Sequence, residues 1–177
     1  MQITADLLKK LINYDEVSGE MCWLNRPVEM FKTKSAHAGW NKRLAGKKAV
    51  TIDGKGYLVV SIFCKRYLVH RLIWLYVYGR FPKIIDHING IRTDNRLVNL
   101  QEVTNQQNHM NQKRSSKNTS GATGVYLNKK RNLWCAQMKF NGTTYHIGSS
   151  KNFNDAVSMR KNEEKRLGFS ERHGNAV

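Results

Sequence analysis

Proline is almost absent from this chain of 177 residues, with two in all, and cysteine is scarce, with three. Cys22, Cys64 and Cys135 lie far apart, and no Cys-x-x-Cys pair occurs. That spacing argues against a disulfide framework and against a cysteine-based zinc ribbon. Acidic residues are few as well: 13 Asp and Glu stand against 30 Lys and Arg, for a formal net charge of +17. Long apolar runs are also missing. The most apolar stretch, residues 57–78, is interrupted by Lys65, Arg66, His70 and Arg71, whereas a bilayer-spanning helix needs roughly 20 apolar residues. Residues 1–14 mix Asp6, Lys9 and Lys10 with Leu7, Leu8, Leu11 and Ile12. This is the pattern of an amphipathic helix, not of a signal peptide. A reduced, cytoplasmic protein with no membrane partner is expected.

What is present points to a polyanion. A chain this basic suits a nucleic-acid surface, and four Trp, seven Tyr and six Phe supply the packed cores that disordered basic tails lack. Residues 1–111 hold 17 basic and 9 acidic side chains, and residues 112–177 hold 13 and 4, so the shorter C-terminal part is the more densely charged. Residues 112–121 are polar and free of large apolar side chains, which is linker composition. The expected organisation is a first domain over residues 1–113, a linker over 114–119 and a second domain over 120–177.

Turn signals and periodicity predict an α+β fold. In the first domain, strand-like pieces at 20–24, 49–52 and 57–63 follow the N-terminal helix. A buried helix over 71–79 ends at Gly79, and short strands are expected at 83–88 and 100–103. Thr104 and Gln107 fit a capping box, in which the hydroxyl accepts from the third helical N–H and the glutamine reaches back. In the second domain, strands at 124–127, 133–140 and 143–148 precede a helix over 154–167, and Asn141-Gly142 is a strong two-residue hairpin turn.

The chemistry concentrates in Ile85-Asp86-His87-Ile88-Asn89-Gly90, continuing through Asp94-Asn95-Arg96 to Asn99-Leu100 and Asn105-Gln106-Gln107-Asn108. Adjacent strand residues point to opposite faces, so one of Asp86 and His87 can hold a metal while the other faces a water. A returning strand and its helix would bring Asn108 opposite the first strand. Asp86 and Asn108 then offer two oxygen ligands to a hard divalent cation, with open positions for water and phosphate. A neutral His87 would take the proton of the attacking water.

This segment resembles the HNH nucleases, the ββα-metal or His-Me finger superfamily, and the phage and intron-encoded homing endonucleases in particular. The motif core covers residues 83–112. The likeness extends upstream through Gly56-Tyr57-Leu58, Val69-His70-Arg71-Leu72-Ile73-Trp74 and Gly79. It implies His87 as general base, Asp86 and Asn108 as metal ligands, and Asn99 as the middle asparagine that braces the loop and orients the histidine. It also implies one Mg²⁺ or Mn²⁺ per site and double-stranded DNA as substrate. Asn replaces the final histidine of the motif at position 108, and an amide oxygen suits those ions better than zinc. His109 competes for the role, but a one-residue step turns a helix by about 100°, so only one of the two faces the metal. His70 reads as structural, and His37, His146 and His173 have no metal role.

Further on, Ser120-Gly121-Ala122-Thr123-Gly124-Val125-Tyr126, Leu133-Trp134-Cys135-Ala136-Gln137-Met138 and Tyr145-His146-Ile147-Gly148 resemble the Apetala-two/ethylene-response-factor DNA-binding domain. In that fold a three-stranded sheet enters the major groove with a helix on its back. Alternation assigns Val125, Trp134, Ala136, Met138, Tyr145 and Ile147 to the helix side. Tyr126, Asn128, Lys130, Cys135, Gln137, Lys139, Thr144 and His146 go to the DNA side, with Tyr126, Asn128, Lys130, Gln137 and Lys139 as the reading residues. Gln137 and Asn128 suit adenine, and Lys130 and Lys139 suit guanine or phosphate.

The expectation is a metal-dependent, site-selective DNA endonuclease of the homing type, monomeric, without a small-molecule cofactor, carried by a phage or mobile element in a bacterial host. Two rivals have different chemistry. One is a sequence-specific DNA-binding regulator on a decayed nuclease fold. The other is an RNA-binding or ribosome-associated protein, which the charge alone allows.

Overall fold

The structure, a computed structural model, describes residues 3–175. Short helices alternate with small antiparallel sheets, an α+β arrangement. The chain divides into two compact units, residues 1–102 and 103–177.

In the first unit, α1 (Ala5–Leu11) is capped by the Thr4 hydroxyl, which accepts from the Leu7 N–H. Its Leu8 and Leu11 are fully buried. The strand β1 (Ile12–Tyr14) pairs antiparallel with β2 (Met21–Trp23). The polar helix α2 (Lys34–Leu44) follows. A three-stranded meander comes next, β3 (Thr51–Ile52), β4 (Leu58–Ile62) and β5 (Lys65–Leu68), with β4 in the centre. β5 runs directly into α3 (Val69–Tyr78), which ends on Gly79 at φ 73°. Val69, Leu72, Ile73 and Leu75 of α3 close one core with Leu8, Leu11, Ile12, Met21, Val60 and Ile62. Each such side chain contributes about 1.5–3 kcal/mol on burial. This core carries the last pair of strands, β6 (Ile85–His87) and β7 (Leu100–Glu102), in which His87 lies opposite Leu100.

Sequence periodicity finds neither α2 nor β5. No residue of α2 is buried, so it has no apolar stripe to read, and β5 is four residues long and half exposed.

The second unit opens with α4 (Asn105–Met110), where the capping box forms as expected: Thr104 Oγ1 accepts from Gln107 N–H, and Thr104 N–H donates to Gln107 Oε1. The sheet has the order β10-β9-β8, with β8 (Val125–Asn128), β9 (Leu133–Phe140) and β10 (Thr143–Ser150). The helix α5 (Phe153–Arg166) packs on it through Ala156, Val157 and Met159 against Val125, Trp134, Ala136 and Ile147. Residues 112–119 have linker composition, yet their backbone is stitched into this unit. Met110 O and Gln112 O accept from Ser170 and Gly174 N–H, and Arg114 N–H donates to Asn175 O at 3.0 Å. The compact units therefore divide before α4, between Glu102 and Val103.

Candidate active site and candidate DNA-reading sheet

His87 ends β6 and is 4% exposed. Asp86, one residue earlier, points to the other face and is half-buried, as strand alternation requires. The imidazole is walled by rings. His70 of α3 meets it edge-on at 5.2 Å between centroids, and Tyr57 lies 6.1 Å from it and 5.3 Å from His70. Arg92 stacks on the outer side of Tyr57 at 4.9 Å and donates to Lys55 O. Burial pushes the pKa of His87 below its ordinary value, against the opposing influence of Asn95 and Asp86. The ring is therefore neutral near pH 7, the state a general base needs.

The loop between β6 and β7 supplies the orientation. Asn95, 2% exposed, places Oδ1 3.2 Å from His87 Nε2. Its amide Nδ2 donates to Thr93 O. The oxygen thus faces the histidine, which makes Nε2 the protonated nitrogen and leaves the lone pair on Nδ1. Asn99 does a different job. Its Oδ1 accepts from Asn89 N–H, and its Nδ2 donates to Asn89 Oδ1 and Asp94 O. Asn99 thus ties the two ends of the loop together, while the contact with the imidazole belongs to Asn95. Asp94 closes the outer edge, pairing with Arg96 at 2.7 Å and accepting from Asn89 Nδ2. Those bonds hold its carboxyl far below the usual carboxylate range.

The loop is braced from the N-terminal hairpin. Tyr14 donates its hydroxyl to Asn95 O at 2.9 Å. Gly19, at φ 76°, lies so close that a Cβ there would meet Arg96 N at 2.6 Å and Asn95 C at 2.7 Å. Gly19→Ala combines a left-handed backbone for a residue with a side chain with a clash against backbone atoms. A loss of roughly 2–4 kcal/mol in urea unfolding of the first unit is expected; a loss under about 0.5 kcal/mol would show that the hairpin yields freely.

His70 is 6% exposed, and burial, with the neighbouring His87 and Arg71, lowers its pKa from 6.5 to about 4. The unfolded chain binds this proton more readily than the folded one. His70 therefore contributes stability that is complete above pH 6.5 and is lost as pH falls towards 4, about 3 kcal/mol across that window. Unfolding free energies at pH 7 and pH 4 should differ less in His70→Leu than in the parent protein by that amount; equal differences would assign the acid sensitivity elsewhere.

Asn108 is half-buried in α4 and His109 is exposed. Among the described residues no group of three or more His, Cys, Asp or Glu could hold a metal ion.

On the sheet of the second unit the ladder places Tyr126 opposite Cys135, Gln137 opposite His146 and Lys139 opposite Thr144. Tyr126 is 41% exposed, and Lys130, Lys139, Thr144 and His146 are exposed. Two residues expected on the DNA side, the reader Asn128 and Cys135, behave otherwise. Asn128 Oδ1 accepts from Arg131 N–H and so caps the hairpin turn. Cys135 is 2% exposed and its sulfur accepts from the Ser149 hydroxyl, which withdraws it from any ligand. An irregularity at Ile147 shifts the register, so that Gly148 pairs with Ala136. Gly148 then sits under α5, where a Cβ would meet Met159 Sδ at 2.6 Å.

Residues 67–110 match the family model of HNH endonucleases. The match begins in β5, runs through α3, Asp86, His87, Asn95 and Asn99, and ends in α4. The HNH segment thus contains the histidine and its asparagine partner but not Tyr57, Gly19 or the second sheet. The chain is also 34% identical over 86 residues to Protein 3.8 of Escherichia phage T7, covering 48% of this chain and 66% of that protein. This chain thus spans just under two thirds of that relative. No solved structure matches it. No described helix is long and apolar enough to cross a membrane. Sequence reasoning missed Asn95 and the Tyr57–His70 wall as parts of the site, although Asn95 sits in the quoted motif and its neighbour Asp94 marks a turn.

Proposed function

We propose that the protein is a metal-dependent, site-selective endonuclease of the HNH homing type that hydrolyses phosphodiester bonds in double-stranded DNA. The observation that carries this reading is the buried, neutral His87 held by Asn95 beside Asp86 inside an HNH match. Asp86 and Asn108 would hold Mg²⁺ or Mn²⁺, which supplies stabilisation of charge on the phosphate and its leaving oxygen. His87 Nδ1 accepts the proton of the attacking water, and Asn95 fixes the ring by taking the Nε2–H bond. Asn99 keeps the loop closed around both. Tyr57 and His70 exclude water from the far side of the ring, which keeps it uncharged between turnovers.

In this reading the nuclease segment reaches residue 113 and so runs past the division at Glu102 into the second compact unit, and residues 120–177 form an Apetala-two/ethylene-response-factor-like module that positions it. Tyr126, Lys130, Gln137 and Lys139 face the groove, and Asn128 shapes the hairpin tip that carries Lys130. The protein acts as a monomer on one strand at a time, producing a nick or, after two events, a double-strand break.

The test is supercoiled plasmid incubated with the full chain and Mg²⁺ or Mn²⁺, beside the same mixture in EDTA. Nicked or linear product that needs the metal is expected. Intact plasmid under both metals, with duplex binding retained, would instead favour a DNA-binding regulator on a nuclease fold.

A further inference from the structure

The segment between β2 and β3, residues 25–48, contains seven Lys and Arg and a single acid, Glu29. It includes α2, whose share of the core is limited to the partly buried Trp40 and Leu44: none of its residues is fully buried, and Lys34, Lys42 and Arg43 are exposed. A helix polar on all sides is stabilised through its attachments, and here these are specific. Trp40 of α2 packs edge-on against Trp23 at 5.6 Å. The guanidinium of Arg26 lies 4.0 Å above Trp40 and 4.9 Å from Trp23. Asn41 and His37 hold the backbone of Arg26 from the helix. The Nε of Arg26 is buried with no hydrogen-bond partner.

The same guanidinium lies 5.6 Å from the ring of Phe63. Phe63 and Cys64 form the two-residue turn between β4 and β5, at φ 48° and 61°. Turns of this kind favour Asn-Gly, and a bulky aromatic in the left-handed region is a conformation the chain rarely adopts. The turn nevertheless holds the Phe63 ring 44% exposed at the hairpin tip, followed by exposed Lys65 and Arg66. Helix α2 thus packs on Arg26, and Arg26 lies beside the ring at the hairpin tip, so the two elements adjoin and carry exposed Lys34, Lys42, Arg43, Lys65 and Arg66. None of these residues is among those around His87, and the core takes from α2 only the partly buried Trp40 and Leu44.

We infer that these adjoining elements form a second DNA-contacting surface, with Lys34, Lys42 and Arg43 on phosphates and Phe63 against a base or sugar edge in the groove. The inference rests on the proposed DNA substrate. Charge complementarity selects the occupant: the face is cationic, and its one exposed aromatic has the apolar wedge chemistry that groove-binding proteins use. β4 spans from the Tyr57–His87 wall to this tip, about 17 Å at roughly 3.3 Å per residue. That is about five base pairs of duplex at roughly 3.4 Å each, so the surface grips the flank of the cleavage position.

The experiment uses the full chain carrying His87→Ala, so that DNA stays uncut, and a labelled duplex of plasmid sequence titrated over a range of NaCl. Lys34→Gln/Lys42→Gln/Arg43→Gln should lower the slope of log affinity against log salt by about 2–3. Phe63→Ala should weaken binding at least threefold while leaving that slope unchanged. Far-UV circular dichroism and the melting temperature confirm that each variant is folded. An unchanged slope in the triple variant, or an unchanged affinity in Phe63→Ala, overturns the surface. A parent chain that binds no duplex overturns it together with the DNA reading. If the native chain with His87 binds but does not cut in Mg²⁺ or Mn²⁺, only the cleavage reading fails, and the surface is still decided by the slopes.

Discussion

His87→Ala is expected to lower plasmid nicking by roughly 100- to 10,000-fold, the usual worth of a positioned general base, with duplex binding unchanged. The reason is geometric. The imidazole is 4% exposed and lies on a short strand, so it contributes little surface to DNA. Its Nε2 is committed to Asn95, so removing the ring deletes one proton acceptor and leaves the basic surface intact. Initial rates of nicked-circle formation at fixed metal, with a parallel binding isotherm, measure the two effects separately. A variant that nicks within threefold of the parent would move the base to another residue. A variant that loses binding as well as cleavage would show that the ring supports the fold around it, as its packing against Tyr57 and His70 allows.

Glu164→Leu is expected to destabilise the second unit by about 3–5 kcal/mol, the cost of leaving a buried charge without its partner. Arg160 and Glu164 are each 5% exposed, and Arg160 Nε donates to Glu164 Oε1 at 2.9 Å. Lys161 Nζ reaches the other carboxylate oxygen, also at 2.9 Å, and His173 Nε2 lies 3.6 Å from Oε1. Burial already lowers the pKa of Arg160 against the pull of Glu164. Without the carboxylate, the guanidinium keeps Gln137 O and His173 as polar partners among the described residues. The position bears on the proposed DNA reading, because Gln137 is a central residue of β9, and Gly124 leaves room there: a Cβ on it would meet Gln137 O at 2.5 Å and Arg160 Nε at 2.9 Å. Urea dependence of amide exchange in β9 of the full chain reads the effect. The double variant Arg160→Met/Glu164→Leu should recover most of the loss, since replacing both partners by apolar groups leaves no orphaned charge. A single variant within about 1 kcal/mol of the parent would mean that Lys161 and His173 already neutralise the site through water.

Local chemistry was legible wherever it is carried by residues close in sequence. The Thr104–Gln107 capping box and the Asn141-Gly142 hairpin need only three or four neighbouring residues, and both are present in the structure. The order of strands and helices in the second unit followed from alternation and turn residues for the same reason. The adjacency of Asp86 and His87 was enough to send their side chains to opposite faces. The likeness of residues 67–110 to the HNH endonucleases could be read from the motif itself.

Tertiary structure decided the rest. The choice of Asn95 rather than Asn99 as partner of the imidazole depends on how the loop folds back, and both asparagines satisfy the same spacing rules. The Tyr57–His70 wall joins two elements through a packed core, and no period in the sequence connects them. The register shift at Ile147 brings Gly148 opposite Ala136, and the close approach of Met159 to Gly148 exists only once α5 is docked. The division before α4 has the same origin, since the polar residues 112–114 are fixed by backbone bonds to a turn about 60 residues later. Composition can show that such a segment lacks an apolar core, but not which backbone groups will satisfy its own. The sequence by itself determined the chemistry available to this protein. Packing between distant segments determined which of those side chains meet.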